Sequence, residues 1–73
     1  MQRQTFIDNM TARGYELHCV RNGNVTATKG DFTVRWVVFA DYGVYIDTPT
    51  VTAITREDAT DDETMRIIDG LTS

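Results

Sequence analysis

Residues 32–39, Phe-Thr-Val-Arg-Trp-Val-Val-Phe, alternate apolar with polar in their first half and are apolar on both sides in their second, between turn residues at Gly30-Asp31 and Asp41-Tyr42-Gly43. A run of β-branched and aromatic residues between such breakers predicts a strand near the middle of a sheet. Side chains of a strand point to alternate faces, so Phe32, Val34, Trp36 and Val38 share one face, and Thr33, Arg35, Val37 and Phe39 the other.

The flanking pattern predicts five further elements. Residues 2–13 carry Phe6 and Met10 four apart, with Ile7 and Ala12 beside the stripe, which is helical spacing. Thr5 and Asp8 make a candidate capping pair, and Gly14 supplies the residue past the helix end, just after Arg13. Residues 15–21 alternate as a strand, with Tyr15, Leu17 and Cys19 on one face. Asn22-Gly23 is a hairpin signal, because both residues tolerate the positive φ angles of a type I′ turn. Residues 24–29 return as a threonine-rich strand, polar enough for a sheet edge, and residues 44–48 form a fourth strand that Pro49 ends. Residues 50–54 read either as a last edge strand or as an extended connector. Thr60-Asp61-Asp62-Glu63 is a capping box opening a helix with Met65 and Ile68 on its buried stripe and Ile67 beside them. Gly70 is expected to close that helix, and Leu71 to pack back beneath it.

The predicted fold class is α+β: one small domain over residues 1–73, ordered α-β-β-β-β-α. Its sheet is an antiparallel meander with two short helices packed on one face. The expected core is Phe6, Met10, Leu17, Cys19, Phe32, Val34, Trp36, Val38, Ile46, Met65 and Ile68, with Tyr15 at its margin. The second sheet face is then left open. By parity it carries Glu16, His18, Val20, Thr33, Arg35, Val37, Phe39, Tyr45 and Asp47, and the apolar members of that set predict a contact surface.

Composition narrows the function. With Cys19 and His18 the sole residues of their types among 73, no intramolecular disulfide and no repeated metal-ligand spacing are available. Cys19 is expected to be a buried thiol in a reducing compartment. The N-terminal residues lack the apolar run of an export signal, and the longest apolar run, 36–40, is far short of a membrane span. A cytoplasmic protein without a membrane partner is expected. Net charge is −4, unevenly spread: residues 1–36 carry five basic and three acidic side chains, residues 37–73 two basic and eight acidic. Such asymmetry marks either an interaction surface or a helix start with solvated loops.

Chemistry finds little support. His18 and Cys19 are strand neighbours aimed at opposite faces, so His18 is badly placed to activate Cys19. The acidic run 58–63 lacks the alternating ligand spacing and central glycine of a calcium loop, and the five glycines form no phosphate-cradling pattern. The expectation is a non-enzyme with no cofactor and no metal.

A helix, at least three strands and a helix is also the layout of the double-stranded-RNA-binding domain, which the strand Phe32-Thr33-Val34-Arg35 resembles. That resemblance implies lysines on phosphates at the start of the last helix. Here Asp61, Asp62 and Glu63 stand in that turn and repel phosphate, so no direct nucleic-acid contact is expected. In size, acidity and lack of cofactor motifs the chain resembles the accessory proteins of bacteriophages and mobile elements, anti-CRISPR proteins among them, which implies inhibition of a host defence or nucleic-acid-handling complex. The expected partner is another protein, reached through the acidic set Glu57, Asp58, Asp61, Asp62, Glu63 and Asp69 or the open-face set Arg35, Val37, Phe39 and Tyr45. The alternative is a homodimer or higher homo-oligomer that buries the open face.

Overall fold

A computed structural model describes residues 1–19 and 22–73. The order is α1 (Arg3–Ala12), β1 (Glu16–Cys19), β2 (Val25–Lys29), β3 (Phe32–Trp36), β4 (Tyr42–Asp47), β5 (Thr52–Arg56) and α2 (Asp61–Leu71). The five strands form one antiparallel sheet in chain order, β1-β2-β3-β4-β5. The fold is thus α+β with an antiparallel meander, as the pattern predicts, but with one strand more than the four expected: residues 52–56 pair with β4 and are no connector. Both helices lie on the same face, α1 over β1 and β2, and α2 over β4. No helix is long and apolar enough to cross a membrane.

The register sorts the sheet into transverse rows, because directly opposed residues share a face. Toward the helices run Leu17, Ala27, Val34, Ile46 and Ala53, and beside them Cys19, Val25, Trp36 and Val44. Phe6 and Met10 of α1 and Met65 and Ile68 of α2 close on these rows, so that Phe6, Met10, Val25, Ala27, Val34, Val44, Ile46 and Ile68 are fully buried. Each buried large side chain contributes about 1.5–3 kcal/mol relative to exposure. Several expected core members differ. Leu17, Phe32 and Trp36 are partly buried at the margin, Val38 is 36% exposed and Cys19 is exposed. Tyr15, expected at the margin, is buried. Val25 and Ala27 take central places because β2 is an inner strand and not the expected edge, and Val44 of the inner strand β4 joins them. Its threonines, 26 and 28, occupy the other face.

The strand expected over 32–39 stops at Trp36. Val25 is the first residue of β2 and pairs with Trp36, so the ladder runs out there; the Val38 N–H donates instead to the Asn24 side chain at 2.9 Å. The turn therefore moves from 41–43 to 37–41, and Gly43 falls inside β4. There Gly43 and Val44 together oppose Thr55, a β-bulge between the Tyr42–Arg56 and Tyr45–Ile54 pairs. A Cβ at Gly43 would overlap the Thr55 hydroxyl and lie 2.9 Å from the Arg56 carbonyl, so the site requires a residue without one.

The helix ends show how local chemistry acts. Gly14, at φ +81°, follows the Arg13 cap; the Tyr15 and Gly14 N–H groups donate to the Met10 and Thr11 carbonyls, a Schellman end whose apolar contact joins buried Tyr15 and Met10. The start of α1 differs from expectation. The helix begins at Arg3 after an extended Gln2 with no side-chain cap, and Asp8 accepts from Gln4 rather than pairing with Thr5. α2 opens on the expected capping box, with the Glu63 N–H donating to Thr60 Oγ1 at 3.1 Å. It runs through Gly70 to a cap at Thr72, so Gly70 does not end it. Gly23 has a positive φ (+94°), and the expected Asn22-Gly23 type I′ turn starts from Arg21, which lies outside the described residues. The expected strand residues Val20 and Arg21 lie outside the described residues.

Candidate interaction surface

Because both helices cover one face, the other is left to side chains alone. Two rows cross it. One runs His18, Thr26, Arg35, Tyr45 and Ile54; the other runs Glu16, Thr28, Thr33, Asp47 and Thr52. Beyond the bulge, Tyr42 and Arg56 extend the first row's side of the face. The second row is entirely polar. The first becomes apolar toward β4 and β5, where the Arg35 guanidinium lies over the Tyr45 ring at 5.7 Å and Ile54 stands 59% exposed next to it. Arg, Tyr and an aliphatic neighbour on adjacent strands form a site suited to protein contact, since Arg and Tyr are large and amphipathic and dominate binding energy at interfaces.

The sequence-derived open-face set divides. Arg35 and Tyr45 are cross-strand partners on the uncovered face. Val37 and Phe39 are not on it, because both lie past the end of β3: Val37 is partly buried, and Phe39 is 95% exposed in the β3–β4 connection. Val20, expected beside them, lies outside the described residues.

The acidic set divides further, mostly through local pairing. Asp69 receives two bonds from Arg13, and Asp58 one from Arg56 at 3.0 Å. Asp61 sits 3.8 Å from the Met1 ammonium, and Glu63 is held by the Thr60 cap. Asp62 lies with Asp61 and Glu63 in the first turn of α2, where the helix dipole favours carboxylates. Glu57 and Asp58 stand apart from this turn, on the β5 side. With Asp41 they border a shallow groove of about 750 Å³ whose wall includes Tyr42, Ile54 and Arg56. The acidic residues thus form no single patch.

Tyr42, Ile54 and Arg56 were missed by sequence reasoning. The signal lay in Thr-Ala-Ile-Thr-Arg itself: taken as a strand two residues later than expected, its alternation places Ile54 and Arg56 together on the open face. Among the described residues, no three His, Cys, Asp or Glu side chains gather closely enough to hold a metal ion. Comparison with protein-family models, with curated proteins and with solved structures returns no match.

Proposed function

We propose that this chain is a non-enzymatic protein-binding module whose contact surface is the uncovered sheet face at Arg35, Tyr45 and Ile54. The observation that carries the reading is the row itself: Arg and Tyr, two of the kinds that dominate binding energy, and an exposed Ile, consecutive across three strands on a face that neither helix covers. The threonines and charges around them suit a contact that forms and dissociates, and not the apolar interior of a permanent homo-oligomer. Inhibition of a host defence or nucleic-acid-handling complex, of the anti-CRISPR kind, is one form of this role; the carboxylates at the β5–α2 corner favour a basic target.

The test is retention from bacterial lysate on immobilised protein, run in parallel with Arg35→Glu and Tyr45→Ala, with both variants checked for fold by circular dichroism. A protein held stoichiometrically by the native chain and lost from both variants supports the reading. Equal retention by all three overturns it. Elution by salt assigns the contact to charge, and persistence in high salt assigns it to the Tyr45–Ile54 surface.

A further inference from the structure

The backbone of β5 carries a second feature of the same corner. The Thr48 N–H donates to the Val51 carbonyl at 2.8 Å, which makes Thr48–Val51 a hydrogen-bonded pair of the β4–β5 ladder. Antiparallel pairs alternate between bonded and non-bonded, so Ile46–Ala53 is the next bonded pair, and Asp47–Thr52 and Tyr45–Ile54 are not. The N–H and C=O groups of Thr52 and Ile54 therefore point away from β4, along an edge that no strand of the described residues occupies. The side chains of Thr52, Ile54 and Arg56 stand on the uncovered face.

Natural edges of this kind are blunted by lysine, proline, bulges or a covering element. Between Thr52 and Arg56 there is no lysine and no proline, and the sole charge, Arg56, is paired with Asp58. The opposite edge, β1, carries Glu16 and His18. Beside the β5 edge the groove offers Tyr42 and Ile54 as an apolar wall, with Asp41 and Glu57 at its rim.

We infer that the β5 edge accepts an extended, basic segment of a partner protein as a sixth strand. Its backbone bonds to Thr52 and Ile54, an apolar side chain enters the groove between Tyr42 and Ile54, and lysine or arginine side chains meet Asp41 and Glu57. This deepens the proposed binding role and rests on it. Strand addition draws affinity from main-chain bonds and specificity from pockets for alternate side chains, and this corner supplies both. Charge selects the occupant. Residues 37–73 hold eight carboxylates and two arginines, so a second copy pairing through its own β5 brings like charge to the edge, whereas a Lys/Arg-bearing strand brings the opposite sign.

The experiment is amide hydrogen exchange followed by NMR, with a blocked Lys-Val-Lys-Val-Lys-Val-Lys peptide as the probe and its Glu-for-Lys counterpart as the control. In the free protein the amides of Thr52 and Ile54 are expected to exchange faster than that of Ala53. Excess Lys-Val peptide slows those two by about tenfold or more, and the Glu-Val peptide does not. Ile54→Pro removes an outward N–H without removing a bond to β4, and abolishes the protection. Ile54→Lys leaves the backbone intact, sets like charge in the groove and weakens the peptide at least tenfold, so the inference stays testable even if the proline variant misfolds. No slowing at these amides overturns the inference, as does equal slowing by the Glu-Val peptide. Protection that grows with protein concentration in the absence of peptide also overturns it, by assigning the edge to a second copy. Because the readout is a defined peptide, its failure leaves the lysate test of the face standing, and failure of that test is seen separately as equal retention by the Arg35 and Tyr45 variants.

Discussion

Arg13 donates to Asp69 through Nε and Nη2, at 2.7 and 2.9 Å, and so ties the end of the first helix to the end of the last across 56 positions of sequence. The fork geometry matches the carboxylate, and the remaining Arg13 nitrogen donates to the Asn9 carbonyl at 3.1 Å, which holds the guanidinium in place. The hydrogen bond from Arg13 holds the Asp69 carboxyl below the usual carboxylate range, with slight burial opposing it, and the same bond raises the guanidinium further. Both side chains remain substantially exposed, so solvent screening keeps the contribution to about 0.5–1 kcal/mol.

A pH dependence follows from the sign of that shift. A carboxyl whose folded pKa is depressed stabilises the fold above its unfolded value, near 4, and that stabilisation disappears as pH falls through the folded value. Asp69→Asn is expected to lose about 0.5–1 kcal/mol at neutral pH. The gap to the native protein should narrow steadily as pH drops below about 4, measured by urea unfolding across pH. A gap that stays constant into acid would falsify the role of ionised Asp69.

Gly43 and Gly70 should respond oppositely to alanine. At Gly43 the added methyl meets Thr55 and the Arg56 backbone within the bulge, and the expected loss is about 2–3 kcal/mol. At Gly70, inside α2, nothing lies within 4 Å of the new Cβ, and removing a helical glycine is expected to stabilise by about 0.5–1 kcal/mol. Thermal unfolding of both variants against the native chain reads the two signs.

Thr55→Val keeps the shape of a side chain that is 2% exposed but removes the hydroxyl that accepts the Val44 N–H at 2.9 Å. The bulge gives this amide a side-chain acceptor. An unpaired buried N–H costs about 1–3 kcal/mol, which denaturant unfolding detects. The Val44 amide should also lose its exchange protection, while Ala27 in the sheet interior keeps its own.

Phe39→Asp tests whether an exposed aromatic acts as a self-association surface. Phe39 lies off the sheet face and is 95% exposed, so the substitution should change stability by no more than about 0.5 kcal/mol. Light scattering should give the same mass for native and variant protein across micromolar concentrations. A native dimer that the substitution converts to a monomer would instead establish the homo-oligomer.

Much of the fold was legible because its signals are local. The Thr60–Glu63 capping box, the Arg13-Gly14 helix end and the Phe6–Met10 spacing each depend on residues within a turn or two, where propensity and hydrogen bonding act directly. The uncovered face was legible for the same reason: period-two alternation placed Arg35, Tyr45, Thr33 and Asp47 on it, and the register agrees. What failed depended on partners distant in sequence. Phe39 and Val37 look like strand residues, yet β3 ends where β2 has no further residue to pair with it. Threonine-rich residues 25–29 look like an edge, yet they lie between two strands with Val25 and Ala27 at the centre of the core.

The interaction corner belongs to this second kind. The chain by itself determined two helices on a meander and the polarity of each strand's two sides, because alternation and capping are properties of neighbouring residues. Tertiary structure decided that Thr52–Arg56 is a strand, that Gly43 allows the β4–β5 bulge and that Tyr42, Ile54 and Arg56 meet beside Asp41 and Glu57. A strand's register and its place at a sheet edge are set by what lies across from it, and no single stretch of sequence contains its own partner.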